Sequence, residues 1–115
     1  MATRLDDLNR EVTSAILVAE HHDAPSWNPA GLSERDAWHE VARIEAAIVA
    51  AIPDDDEGLV LQRELARLGA VEALASAGQP DEARALVDTY LASRSTTEDC
   101  RGLLLELRDE IEARS

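Results

Sequence analysis

Apolar residues recur every three or four positions through most of the chain, and that spacing commits it to helices. The rhythm breaks at Ala24–Leu32, which holds Pro25, Pro29 and Gly31, and again at Pro53, at Gly78–Pro80 and at Ser93–Thr97. Proline lacks an amide donor and glycine is costly inside a helix, so each break reads as a link. No segment alternates apolar and polar residues as a half-buried strand does. The apolar residues are mainly Leu, Ala, Val and Ile, with no Phe, two Trp and one Tyr. Leu and Ala lose little rotamer freedom in a helix, so composition and periodicity agree. The expected fold is all-α: about five helices packed as an antiparallel bundle or a short stack of helical hairpins. Residues 1–115 read as a single helical domain, since a chain of this length can bury roughly 65% of its unfolded surface.

The first helix is predicted over about Thr3–His22, capped by Thr3, with Leu5, Leu8, Val12, Ile16 and Ala19 on one face. Trp27, in the following loop, is expected to fold back onto the core because indole area is costly to leave wet. Ser33-Glu34-Arg35-Asp36 is a capping-box-like start for the second helix, with Asp in place of Glu. Ala37, Val41, Ile44, Ile48 and Ile52 form its stripe, Trp38 lies beside it, and Pro53 ends it. Asp54, Asp55, Asp56 and Glu57 are expected to open the third helix, where acids suit the helix dipole. Its core face is assigned to Leu61, Leu65, Leu68 and Leu74, and Gly78 is its expected left-handed end. The fourth helix starts near Pro80 and turns Ala83, Leu86, Val87, Tyr90 and Leu91 inward. The fifth starts at Thr96-Thr97-Glu98-Asp99 and sets Cys100, Leu103, Leu104, Leu107 and Ile111 on one side. The short links after the second, third and fourth helices predict antiparallel neighbours.

The segment Leu74-Ala75-Ser76-Ala77-Gly78-Gln79-Pro80-Asp81-Glu82-Ala83-Arg84-Ala85-Leu86 resembles the turn of a tetratricopeptide-type helix hairpin. In that family a glycine in the turn and an alanine early in the second helix let two helices pack closely, and Gly78 and Ala83 stand at matching spacing. The resemblance covers about 30 residues, around residues 61–91, which is one repeat. Ala70-Val71 replace the family's Leu-Gly pair, and Leu74 stands near its aromatic position. One repeat forms no peptide groove, so the resemblance implies protein–protein interaction without implying that groove.

The formal net charge is −13, and all 11 basic side chains are Arg. Such a surface repels nucleic-acid backbones and anionic lipids and speeds association with a basic partner. No direct nucleic-acid binding is expected, because there is no basic patch and only Trp27, Trp38 and Tyr90 can stack on bases. The apolar run Ala15–Ala19 is too short for a membrane span or a signal core, and Asp6 and Asp7 stand where a signal peptide carries basic residues. Cys100 is the one cysteine and has no intrachain partner. A cytoplasmic protein is expected.

His21-His22-Asp23 has donors for a transition metal. Adjacent helical side chains diverge by about 100°, however, so both rings meet one ion only at a frayed end, and a helix C-terminus suits imidazolium equally. Asp36 and His39 stand at i, i+3, as in the Glu-x-x-His pairs of di-iron bundles, but no second pair exists. A small metal-binding bundle would therefore use His21, His22, Asp23 and His39; no metal or other cofactor is the preferred reading. Asp54–Glu57 fail the EF-hand pattern, because Leu59 and Leu65 fall where Gly and Glu are required. Glu98 and Asp99 would raise the Cys100 pKa, and Cys100 lies on the apolar stripe, so core packing is favoured over nucleophilic chemistry. Ser33 lacks a nucleophile-elbow context.

These residues point away from an enzyme and towards a helical interaction domain: a small adaptor, regulator or immunity-type partner of another protein. One alternative is an acidic inhibitor that mimics nucleic acid or fills a basic site on its target, with Asp54–Glu57, Glu40 and Glu45 as its patch. Pairing of Asp6–Arg10, Arg84–Asp88 and Arg108–Glu112 at i, i+4 would leave few free acids for it. A homodimer is also expected, because Ile16-Leu17-Val18 and Leu103-Leu104-Leu105 are broader than one stripe needs.

Overall fold

A computed structural model describes residues 3–114. Met1 and Ala2, which begin the segment read for targeting, and Ser115 lie outside the described residues. Five α-helices follow one another: α1 (Arg4–Glu20), α2 (Glu34–Ala51), α3 (Val60–Ser76), α4 (Pro80–Ala92) and α5 (Glu98–Arg114). A single 3-10 turn, Glu57–Leu59, precedes α3, and the described residues contain no strand.

Caps set the helix starts. Thr3 and Asp6 form a full capping box at α1, each side chain accepting the other's amide N–H at 3.1–3.2 Å. At α2 Ser33 accepts from the Asp36 amide at 3.1 Å. The acids before α3 behave differently from expectation. Asp56 caps the 3-10 turn through the Gly58 amide, and no acid stands in the first turn of α3. Gly78, at φ 74°, closes α3 in the left-handed region, and the Gln79 amide reaches back to the Leu74 carbonyl at 3.0 Å.

The α1–α2 loop is organised by Asn28. This buried amide donates to the carbonyls of His22 and Leu32, both at 2.8 Å, and accepts from the Leu32 amide at 3.0 Å. Trp27 was expected to fold back onto the core. Trp27 instead stays 49% exposed and lies against the His21 ring at 5.0 Å between centroids.

The arrangement is an open stack. α1 packs on α2, α2 on α3, α3 on α4, α4 on α5, and α3 also meets α5, while α1 meets neither α4 nor α5. The molecule is correspondingly flat, 44 × 41 × 16 Å. Side-chain neighbours give the directions. Asn9 and Val12 of α1 lie by Ile48 of α2, while Ser14 and Ala15 lie by Glu40 and Arg43, so α1 and α2 are antiparallel. Glu64 meets Thr97 and Ala75 lies by Ile111, so α3 and α5 run parallel with α4 returning between them.

The core takes the predicted stripe of α2 whole: Ala37, Val41, Ile44, Ile48 and Ile52 are all buried. On α3 the expectation holds for Leu74, holds in part for Leu68, which packs half-buried against the core, and fails for Leu61 and Leu65. Leu61 and Leu65 are 73% and 58% exposed, whereas Ala66, Ala70, Val71, Ala73 and Leu74 are buried. The alanines let α3 lie close to α2, and the leucine row at 61, 65 and 68 falls on the neighbouring arc of the helix. Leu103 of α5 is likewise exposed, while Cys100, Leu104 and Ile111 face inward.

Candidate interaction face

The inward arc of α3 also carries three charged residues. Arg63, Glu64 and Arg67 are all buried. A buried charge is tolerable only when paired and hydrogen-bonded, and these are. One Glu64 oxygen accepts from Arg67 Nη1 at 2.5 Å and faces Arg63 Nε at 3.5 Å. The other accepts from the Thr97 amide at 2.9 Å and the Thr97 hydroxyl at 3.1 Å. Arg63 donates onward to the carbonyls of Pro53, Asp54 and Ser95, and Arg67 to the hydroxyls of Ser93 and Ser95. The Arg67 guanidinium also lies 5.7 Å from the centre of the Tyr90 ring. Among the described residues, Arg67 Nε is the one buried side-chain polar atom without a hydrogen-bond partner.

This network fastens both the α2–α3 link and the α4–α5 link to the first turns of α3. Burial would raise the Glu64 carboxyl, but the Thr97 amide, Arg67, and the Cys100 and Thr97 side chains together hold it below the ordinary glutamate value. Burial, with the Glu64 charge adding to it, pushes the Cys100 thiol up to about 12. A thiol so protonated is a packing group rather than a nucleophile.

With the inward arc of α3 filled, its leucine row points out. Leu61 and Leu65 stand as a ridge between two clefts. On one side α1 and α3 flank a groove with Glu45 and Ile48 of α2 in its wall. On the other lies a cleft of about 470 Å³ between α3 and α5, bordered by Leu61, Leu65, Leu68 and Leu103, with Thr97 and Cys100 below. Leu68, Leu103 and Leu107 continue it along α5 between Glu72, Glu106 and Glu110. Of these leucines, Leu61, Leu65 and Leu103 are exposed, while Leu68 and Leu107 lie half-buried against the core.

Glu45 lies against Gly69, its carboxyl carbon and oxygens about 3.0–3.2 Å from where a side-chain Cβ would stand there. Burial, with the charge of Glu72 adding to it, pushes the Glu45 carboxyl up to about 7. The sequence reading placed Glu45 in a patch with Glu40 and Asp54–Glu57. Glu40 instead binds Arg43, and about 16 Å of helix rise separates it from the end of α2.

The remaining candidate residues are scattered. His21 stacks on Trp27, His22 Nε2 faces Glu34 at 3.7 Å, and His39 Nε2 faces Glu82 at 3.5 Å. Asp23 is exposed, and no group of three or more His, Cys, Asp or Glu among the described residues could hold a metal ion. Asp54, Asp55 and Glu57 are exposed and Asp56 is half-buried. Ile16, Leu17 and Val18 are half-buried, and Ile16 and Val18 pack against the core, so α1 offers little free apolar surface there. Leu105 is exposed on α5. Among the ion pairs, Arg10 meets Asp7 and also attracts Asp6, Arg84 meets Asp81, and Arg108 reaches Asp88 on α4.

Sequence reasoning missed the ridge because leucines were assigned inward by their hydrophobicity. The signal that could have found it is the competing stripe Ala66, Ala70, Val71, Leu74, which shares a helical face only if Leu61 and Leu65 do not. No helix is long and apolar enough to cross a membrane among the described residues. No family model, curated protein or solved structure matches the chain.

Proposed function

We propose that the chain is a non-enzymatic helical interaction domain that holds another protein on the face built by α3 and α5. The observation that carries this reading is the leucine ridge. Leu61 and Leu65, on a helix whose inward arc is filled by other residues, and Leu103 of α5 are left to solvent beside an open cleft. Leaving such area wet is unfavourable by roughly 25 cal/mol per Å², so a partner that covers it gains that term. The α3–α4 hairpin adds support: Gly78 takes the left-handed turn and Ala83 is fully buried, as a tetratricopeptide-like turn requires. The buried, unpaired Cys100 suits a reducing, cytoplasmic setting. An adaptor, a regulator or an immunity-type protein would each use such a face.

The test is affinity capture from the host lysate with nuclease present, followed by native mass spectrometry. The same capture is run with a Leu61→Ser, Leu65→Ser variant. A protein held in stoichiometric amount by the native chain and lost by the variant is expected. The same protein recovered equally by both would place the contact elsewhere and sink the reading.

A further inference from the structure

The chemistry around the ridge narrows what can cover it, and this step rests on the interaction-face reading above. The apolar strip runs from Leu61 and Leu65 across Leu68 to Leu103 and Leu107. Carboxylates border it throughout. Glu57 and Asp99 stand at one end of the α3–α5 cleft, and Glu72, Glu106 and Glu110 stand towards the other. Across the ridge the wall of the α1–α3 groove holds Glu45, which has no hydrogen bond or ion pair among the described residues. Among the described residues, no Arg lines these clefts on either side of the ridge.

An apolar strip with carboxyl groups along its edges and no Arg beside them complements one kind of surface: an amphipathic helix with leucine-type anchors on one face and Arg or Lys along both edges. α3 has 17 residues and so spans about 25 Å, which matches an occupant of four to five turns. A second copy of this chain fits poorly, because two such faces would oppose Glu72, Glu106 and Glu110 to carboxylates of the same kind. We infer that the ridge and its two clefts receive a basic amphipathic helix of a partner protein. Apolar anchors enter the α3–α5 cleft, and cationic side chains meet Glu72, Glu106 and, across the ridge, Glu45.

The probes are three labelled helical peptides of one length, titrated against the full chain by fluorescence anisotropy. The first carries leucines at i, i+3, i+4 and i+7 with Arg and Lys at the flanks. The second keeps the leucines and replaces the cations by Glu. The third keeps the cations and replaces the leucines by Ser. The first is expected to bind at least tenfold more tightly than either other. Its binding should fall at least tenfold in Leu65→Ser and in Glu72→Lys, Glu106→Lys. A charge-matched Glu20→Lys, Asp23→Lys variant at the far end of α1 should bind within about twofold of the native chain. All these side chains are exposed, so circular dichroism should show each variant folded.

Equal binding of the acidic peptide, or equal weakening by the charge-matched control, would overturn the inference. Sedimentation gives the remaining outcome: a dimer dissolved by Leu65→Ser, with no peptide bound, would make a second copy the occupant. That result would retire the basic helix while leaving the α3–α5 face as the interaction surface.

Discussion

Two glutamates with opposite perturbations govern how single residues shape the behaviour of this chain. Glu64 is held ionised by the Thr97 amide and Arg67 against the cost of its burial. Its contribution to folding is therefore present above the ordinary glutamate value and is lost as pH falls through its lowered one. Glu45 runs the other way. Unfolded, it ionises near 4.5; folded, it keeps its proton until about 7. Between those values the folded chain binds more protons than the unfolded one, so stability falls as pH rises through the window. Glu45→Gln removes that loss. Denaturant midpoints measured from pH 4.5 to 8 should show the variant gaining on the native chain as pH rises, by on the order of 2 kcal/mol at pH 8 after solvent screening. A constant offset across the range would contradict the raised carboxyl. Glu64→Gln should behave quite differently. It leaves Arg63 and Arg67 buried without their counter-charge, so a loss of about 3–5 kcal/mol is expected in the same titration at pH 7. A loss below about 1 kcal/mol would mean that Ser93, Ser95 and the loop carbonyls satisfy the guanidiniums unaided.

The helices themselves were largely legible in the sequence, because their signals are local. Thr3, Ser33, Pro53, Gly78 and Pro80 each fix a boundary through the backbone chemistry of one residue, and each stands at the end it was expected to mark. Gly78 illustrates the strength of such signals: at φ 74° an alanine meets no neighbour but suffers the left-handed backbone penalty. Gly78→Ala should therefore cost roughly 1–2 kcal/mol by thermal melting, with no change in helix content. Unchanged stability would show that the turn can relax out of the left-handed region. Facing was less legible than boundary. On α3 two arcs compete, one of leucines and one of alanines with Arg63, Glu64 and Arg67. Hydrophobicity favours the first, but the second is buried because Ser93, Ser95 and Thr97, some thirty residues away, complete its polar network. That pairing is tertiary and leaves no local trace. The same holds for Asn28, whose amide closes the α1–α2 loop through carbonyls on both flanks. The candidate site is thus the by-product of a non-local choice, which is why the leucine ridge could not be read from periodicity alone.

For the molecule as a whole, shape and charge act together. A net charge of −13 is spread over a slab only 16 Å thick, so carboxylates on opposite surfaces feel one another unless salt intervenes. The screening length is about 30 Å at 0.01 M ionic strength and about 10 Å at 0.1 M, so it passes from longer than the slab to shorter. Self-repulsion destabilises the compact state and is relieved by screening. Raising sodium chloride from 0.01 to 0.1 M at pH 8 should therefore raise the melting temperature by several degrees, read by circular dichroism. Association with the basic amphipathic peptide should respond in the opposite sense, weakening over the same range because the attraction it uses is screened as well. Its apolar anchors in the α3–α5 cleft are indifferent to salt at these concentrations, so a residual affinity that still depends on Leu65 should remain at 0.1 M. A melting temperature that stayed level or fell with salt would mean that the buried Arg63–Glu64–Arg67 network, rather than surface repulsion, dominates the electrostatics of folding.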